Sequence, residues 1–276
     1  MKIAVLQMNS GIDPEANASI LLAAIADAAR GGAVMLFAPE MSGQLDRNRE
    51  RARAHMSSEA HSMLVTEVCL AAQKSGIWVH IGSLPFVGER TDGRLVNRSL
   101  VINEHGLIKA RYDKIHLFDV DLETGETWRE SATYGAGEQV VAVQTPIGLL
   151  GLTICYDIRF SSLFTSLSNS GATVIAAPSA FTVPTGEAHW HTLLRARAIE
   201  SSVFVIAAAQ CGGHEDGRQT YGHSLVVDPW GTIILDMEKK LALGFVDIDL
   251  DQIAAVRGRI PALSNRRTIS SVADLY

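Results

Sequence analysis

The chain has 276 residues, 47% hydrophobic and 20% charged, with a formal net charge of -6, which provides a sizeable core and offers no basic patch for nucleic acid. No run approaches the roughly 18 to 20 uninterrupted apolar residues of a membrane span, so no membrane partner is expected. Three cysteines without close spacing argue against a disulfide framework and suit a reducing cytoplasm, and the amino terminus opens directly on a strand with no leader pattern.

In chain order, a strand over Lys2 to Met8 precedes a helix from about Pro14 to Arg30 that ends at Gly31-Gly32. The apolar run Val34 to Ala38 then reads as a buried strand that delivers Pro39-Glu40 at its end. A helix is predicted over Ser58 to Ser75, where Ala60, Leu64, Val68 and Ala71 recur at helical spacing before Gly76, followed by a strand over Ile77 to Leu84. Ser99 to Ile102 is a strand, Asn103-Glu104-His105-Gly106 a turn, and the returning strand delivers Tyr112-Asp113-Lys114.

The second half repeats this plan. The strand Leu149 to Ile154 ends at Cys155, a helix lies near Ser162 to Asn169, and a strand covers Thr173 to Ala177. Ala33 to Glu40 even reads like Ala172 to Ser179, so two strand-helix-strand halves within one domain, residues 1–276, are expected. The loop Val183-Pro184-Thr185-Gly186, rich in turn formers, is expected to face substrate, ahead of a helix over Ala188 to Ser201. Strands follow at Val203 to Ala209, Gly222 to Val227, Ile233 to Asp236 and Gly244 to Ile248, with a turn at Asp228-Pro229-Trp230-Gly231. Strands that alternate with helices early and cluster late predict an α/β fold with mixed sheets. The stretch 257–276 has little periodicity and is expected to be a C-terminal extension that wraps a neighbouring copy.

Glu40, Lys114 and Cys155 thus all sit at strand ends, where nucleophiles meet substrates. A thiol near neutral pH is mostly protonated; an adjacent ammonium favours the thiolate and a glutamate can carry the proton, so no histidine is required. The competing reading of Cys155 is a small core hydrophobe, which is also the reading for Cys69 within its helix; Cys211 borders Gly212-Gly213 and is expected near the site without a catalytic role. A thiol hydrolase pairing Cys155 with His116 or His223, and a catalytically silent binding protein, are the other function classes. His189 and His191 point apart on a helix, unlike the i,i+4 pairs of helical zinc motifs, and no glycine-rich phosphate loop is present, so neither metal nor nucleotide cofactor is expected.

Three segments carry a resemblance: Phe37-Ala38-Pro39-Glu40-Met41, Arg111-Tyr112-Asp113-Lys114-Ile115-His116-Leu117-Phe118 and Leu152-Thr153-Ile154-Cys155-Tyr156-Asp157-Ile158-Arg159-Phe160. In this order they resemble the Glu-Lys-Cys motifs of the nitrilase superfamily of carbon-nitrogen hydrolases, and the likeness runs over nearly the whole chain. The resemblance implies a four-layer α-β-β-α sandwich, no cofactor, and a homodimer or higher homo-oligomer. It makes Glu40 the general base and acid, Lys114 the stabiliser of the anionic intermediate, Cys155 the nucleophile and Glu130 a second glutamate beside the lysine. Substrate contacts then fall to Tyr156, whose N–H would complete the oxyanion site, and to Arg159, Phe181, Thr182 and His189.

The second half looks closest to the Nit amidase branch, and Ala208-Ala209-Gln210-Cys211-Gly212 is nearer to its deaminated-glutathione amidases than to its omega-amidases. The implied reaction is hydrolysis of the terminal amide of a small 2-oxo acid derivative to carboxylate and ammonia through a Cys155 thioester. An omega-amidase acting on 2-oxoglutaramate, a nitrilase and an N-carbamoyl-amine hydrolase are the alternatives. One departure is Ser161-Ser162 where the branch carries Pro-Glu, which leaves Arg159 either to a substrate carboxylate or to an acidic partner such as Asp157.

Overall fold

The computed structural model describes residues 1–122 and 125–267. Its elements are β1 (Lys2–Gln7), α1 (Pro14–Arg30), β2 (Met35–Phe37), α2 (Arg49–Ala54), α3 (Met63–Ser75), β3 (Trp78–Phe86), β4 (Val96–Ile102) and β5 (Ile108–Asp113). They continue as β6 (Asp119–Asp121), β7 (Thr127–Arg129), β8 (Ala142–Thr145), β9 (Gly148–Leu152), α4 (Ser161–Asn169), β10 (Val174–Ala176), α5 (Val183–Ser201) and β11 (Phe204–Ala207). The last are β12 (Cys211–Gly213), β13 (Gln219–Tyr221), β14 (Leu225–Val227), β15 (Ile233–Asp236), β16 (Ala242–Asp247) and α6 (Asp251–Arg259).

Two six-stranded sheets carry the molecule, in the orders β16-β1-β2-β3-β4-β5 and β15-β14-β11-β10-β9-β8. In each, three parallel strands (β1-β2-β3 and β9-β10-β11) are flanked by antiparallel ones, so the two halves and the mixed sheets expected from the sequence are present. Strand alternation divides the core. Ile3 and Val5 join the apolar cluster that contains Leu152, Ile175 and Val205 of the second sheet. Ala4 and Leu6 point the other way and pack with Leu21, Ile25 and Val68 of α1 and α3. Leu167 of α4 presses on Gly151 of β9 from the opposite side. The result is an α-β-β-α sandwich.

Local chemistry explains the helix limits. Asp13 caps α1 by accepting from the Glu15 N–H, with Pro14 in the first turn, and Gly76 closes α3 in the left-handed region at φ 63°. The helix expected from Ser58 is interrupted: Glu59–His61 is a 3₁₀ turn, and Ser62 caps α3 through the Val65 N–H. A second correction concerns 183–186, expected as a loop. It is the first turn of α5, because Pro184 falls where a helix has no use for its missing N–H. A third concerns the extension from Arg257: residues 257–259 finish α6, and Arg266 donates to Ser168 Oγ, Asn169 Oδ1 and Glu200 O of its own chain. The rest of that expectation, 268–276, lies outside the described residues. Among the described residues no helix is long and apolar enough to cross a membrane.

His80 of β3 is wholly buried, with Nε2 against Ser99 Oγ at 2.8 Å and, among the described residues, no partner on Nδ1. Burial pushes its pKa from 6.5 down to about 3. Above pH 6.5 the ring is neutral in both states; below it the unfolded chain takes up a proton that the folded chain refuses, so stability falls with pH throughout that window. From pH 6.5 to 5 the expected loss from this group is about 2 kcal/mol. Urea unfolding at the two pH values measures it, and in His80→Gln the slope should flatten by that amount.

Candidate active site

Two close backbone approaches place the first carboxylate and the lysine. The chain leaving β2 crosses β3 at Gly82, where a Cβ would lie 2.1 Å from the Ala38 carbonyl oxygen, and this crossing turns Glu40 inward. Lys114 follows β5; its N–H donates to Asn97 O, and its carbonyl accepts from Gly137, where a Cβ would lie 2.1 Å from Asp113 O. Cys155 follows β9 and begins a 3₁₀ turn, Cys155–Arg159, in the left-handed region at φ 50°. A non-glycine residue held there is uncommon and marks sites where the surroundings enforce the backbone.

Asp157 supplies much of that enforcement. This wholly buried carboxylate accepts from the Ile154 N–H at 2.9 Å, the Tyr112 hydroxyl at 2.6 Å, and the His116 N–H and Nδ1 at 3.0 and 2.7 Å. One side chain thereby ties the cysteine turn to both residues flanking the lysine segment.

The side chains converge in a cavity of about 620 Å³. Lys114 Nζ donates to Glu40 Oε1 at 2.9 Å and to Glu130 Oε2 and Oε1 at 2.9 and 3.1 Å. Glu40 also accepts from Asn97 Nδ2 at 3.0 Å and from the Ala180 N–H at 3.0 Å; Glu130 accepts from the Phe118 N–H at 2.7 Å. Glu40, Lys114 and Cys155 are buried and Glu130 partly so, and all four line the cavity. Burial alone would push the lysine down, but the carboxylates of Glu130 and Glu40 overcome it and hold the ammonium well above its usual range. The thiol behaves oppositely. Burial, then the charge of Glu40, push Cys155 well above the usual thiol value, and Lys114 opposes this without prevailing. The Lys114 ammonium that opposes this rise is itself shared between two carboxylates.

The sequence model of the family described as Carbon-nitrogen hydrolase matches residues 2–258. The chain belongs to the carbon-nitrogen hydrolase family. It is 38% identical to a deaminated glutathione amidase of Yersinia enterocolitica over 98% of this chain and 94% of that one. The crystal structure of the Caenorhabditis elegans NitFhit protein superposes with a TM-score of 0.89 at 37% identity, over 96% of this chain and 65% of that one. Nit3 of Saccharomyces cerevisiae, a member of branch 10 of the nitrilase superfamily, superposes at 0.87 with 27% identity, over 97% of both. The likeness confirms the nitrilase-type α-β-β-α fold and an enzyme that hydrolyses carbon-nitrogen bonds.

In this carbon-nitrogen hydrolase Tyr156, Phe181 and Thr182 also line the cavity, whereas Arg159 and His189 stand outside the lining. The Arg159 guanidinium lies 5.8 Å from the Tyr156 ring centroid and 5.6 Å from that of Phe181, and both terminal nitrogens are 3.4 Å from His189 Nδ1. The Asp157 partnership considered for Arg159 does not form, since that carboxylate is spent on Tyr112, His116 and Ile154; no ion pair holds Arg159 among the described residues. His116 stacks on Phe160 at 3.6 Å, His223 pairs with Asp236, and neither lines the cavity. Cys69 is partly buried and packs against the core cluster of α1 and α3, and Cys211 is buried in β12 outside the lining.

The sequence reading missed two supports of Glu40: Asn97, which reaches its carboxylate, and Gln210, whose amide donates to the Glu40 carbonyl at 2.9 Å. An amide among the buried positions of the strand Val96–Ile102, beside Arg98 and Ser99, is the signal that could have exposed Asn97.

Proposed function

We propose that the chain hydrolyses the amide joining the 2-oxo acyl group of deaminated glutathione to its cysteine nitrogen, with Cys155 as nucleophile, Glu40 as proton carrier and Lys114 as electrostatic support. The convergence of these three strand-end residues in one cavity carries the reading. On substrate arrival the Cys155 proton passes to Glu40 and the sulfur attacks the amide carbonyl carbon. Lys114 and the N–H of Tyr156, in the first turn of its 3₁₀ segment where no intrahelical acceptor exists, balance the oxyanion. The carbon-nitrogen bond breaks as Glu40 returns the proton to the departing nitrogen, leaving a thioester. Glu40 then takes a proton from water, hydroxide adds to the thioester carbon, and the acid departs as the thiol reforms. Glu130 holds the lysine between the carboxylates throughout.

In glutathione the amino-bearing residue is joined to cysteine through its γ-carboxyl group. Cleavage of the deaminated compound therefore releases cysteinylglycine and 2-oxoglutarate, which corrects the expectation of ammonia for this substrate; ammonia leaves only from a primary amide such as 2-oxoglutaramate. Two observations favour the larger substrate. Its two carboxylates need cationic partners, and of the arginines that border the cavity Arg49 and Arg53 carry no ion pair among the described residues, whereas Arg47, Arg94, Arg129 and Arg218 are paired with Glu126, Asp92, Asp121 and Asp216. Its size also suits a cavity of about 620 Å³ better than a five-carbon acid does. The name of the Yersinia enterocolitica relative points the same way.

The test is 2-oxoglutarate release from deaminated glutathione and from 2-oxoglutaramate, with Cys155→Ala as background. The expected result is at least a tenfold preference in kcat/KM for the first, about 1.4 kcal/mol of transition-state discrimination. The reverse preference makes the protein an omega-amidase. Release from neither above background ends both assignments and turns the search to nitriles and N-carbamoyl amines.

The proposal extends to a cytoplasmic homodimer acting on this small molecule and water. Free thiols at all three cysteines suit the compartment. Exposed Ile199 of α5, with exposed Trp230 in the turn beside it, supports a second copy, which sedimentation equilibrium measures.

A further inference from the structure

Outside the cavity, three side chains from separate elements meet: His191 in the middle of α5, His223 in the loop between β13 and β14, and Asp236 at the end of β15. His191 Nε2 lies 3.2 Å from Asp236 Oδ2, and His223 Nδ1 lies 3.0 and 3.2 Å from Oδ1 and Oδ2. One ligand atom from each residue can be chosen so that the three fall within 4.8 Å of one another. Ligands about 2.0 to 2.1 Å from a tetrahedral ion stand about 3.3 Å apart, close to the 3.2 and 3.0 Å between the two imidazoles and Asp236.

The scaffold holds this arrangement in place. His223 has a left-handed φ of 54°, its N–H donates to Glu238 O at 2.6 Å, and its carbonyl accepts from Trp190 Nε1 at 2.7 Å, the residue preceding His191. Tyr221 stacks on the His223 ring at 4.5 Å and meets His191 edge-on. The Glu238 N–H fixes Asp236 Oδ1 at 2.8 Å. Backbone strain of this kind persists only where the surroundings over-determine it, and it concentrates at sites of function.

We propose that His191, His223 and Asp236 form a binding site for a divalent transition metal of the zinc class. Two imidazoles and one carboxylate are a borderline donor set that suits zinc over magnesium or calcium, which favour oxygen alone. Three protein ligands leave at least one coordination position open at the surface. None of the three lines the catalytic cavity, so this site is separate from the amide chemistry.

The test is Zn²⁺ titrated into the purified full-length protein in a non-chelating buffer, followed calorimetrically, with Co²⁺ absorption as the spectroscopic companion. One equivalent should bind at micromolar or tighter affinity. His191→Ala and His223→Asn should each weaken it at least tenfold, about 1.4 kcal/mol, while His189→Ala, an exposed histidine on the same helix, leaves it unchanged. Asparagine tolerates the left-handed backbone at 223, and circular dichroism confirms the fold of each variant. The Co²⁺ spectrum should lack a thiolate charge-transfer band, which separates this site from Cys69, Cys155 and Cys211. Absence of a stoichiometric site, equal affinity in His223→Asn, equal weakening by His189→Ala, or a thiolate band would each overturn the proposal and leave a surface ion-pair cluster.

Discussion

Alanine at position 155 yields a folded protein that turns over no amide. The proposed nucleophile is lost, so kcat falls on the order of 10⁴-fold or more. The fold survives because alanine keeps the Cβ already accommodated at φ 50°, and the anchoring bonds around it involve backbone and Asp157 rather than sulfur. Thermal unfolding and single-turnover mass spectrometry together check this: the wild type should accumulate an acyl-enzyme, heavier by the acyl group, and the variant should not. Residual turnover within a hundredfold of wild type would move the nucleophile elsewhere.

Lys114→Met costs both stability and activity. Methionine fills similar space but leaves Glu40 and Glu130 facing one another without the ammonium that now lies 2.9 Å from each. Removing one partner from a buried ion cluster costs about 3 to 5 kcal/mol, and the oxyanion loses its cationic support. Urea unfolding of variant and wild type at pH 7 gives the comparison. A deficit under 1 kcal/mol would contradict this electrostatic picture.

The neighbours of the Cys155 thiol also bear on its proton. The thiol sits well above its ordinary range because burial and Glu40 outweigh Lys114. The proposed mechanism accordingly has the proton pass from Cys155 to Glu40 when substrate binds. The resemblance placed Glu130 beside the lysine, and the structure adds that Lys114 Nζ donates to both Glu40 and Glu130.

Elements of regular period were legible. The α1 limits, Pro14 and Arg30, follow from a capping aspartate, a first-turn proline and closing glycines, all local signals. Three-residue strands such as β6, β7, β12 and β13 carry too few positions for an alternation to register, and they went unseen. The start of α5 was misplaced because proline and glycine also favour turns; packing of Gly186 on Tyr221 is what draws that stretch into the helix.

The sequence by itself determined the mixed α/β plan, its two related halves, and the three strand ends that carry Glu40, Lys114 and Cys155, since each depends on periodicity and chain-local motifs. Only the tertiary structure decided which groups share charge and hydrogen bonds. It spent Asp157 on Tyr112 and His116 rather than Arg159, brought Asn97 and Gln210 to Glu40, and set His191 against His223 and Asp236. Those contacts join residues from separate elements, and their formation depends on how sheets and helices stack, a property that no local window of sequence contains.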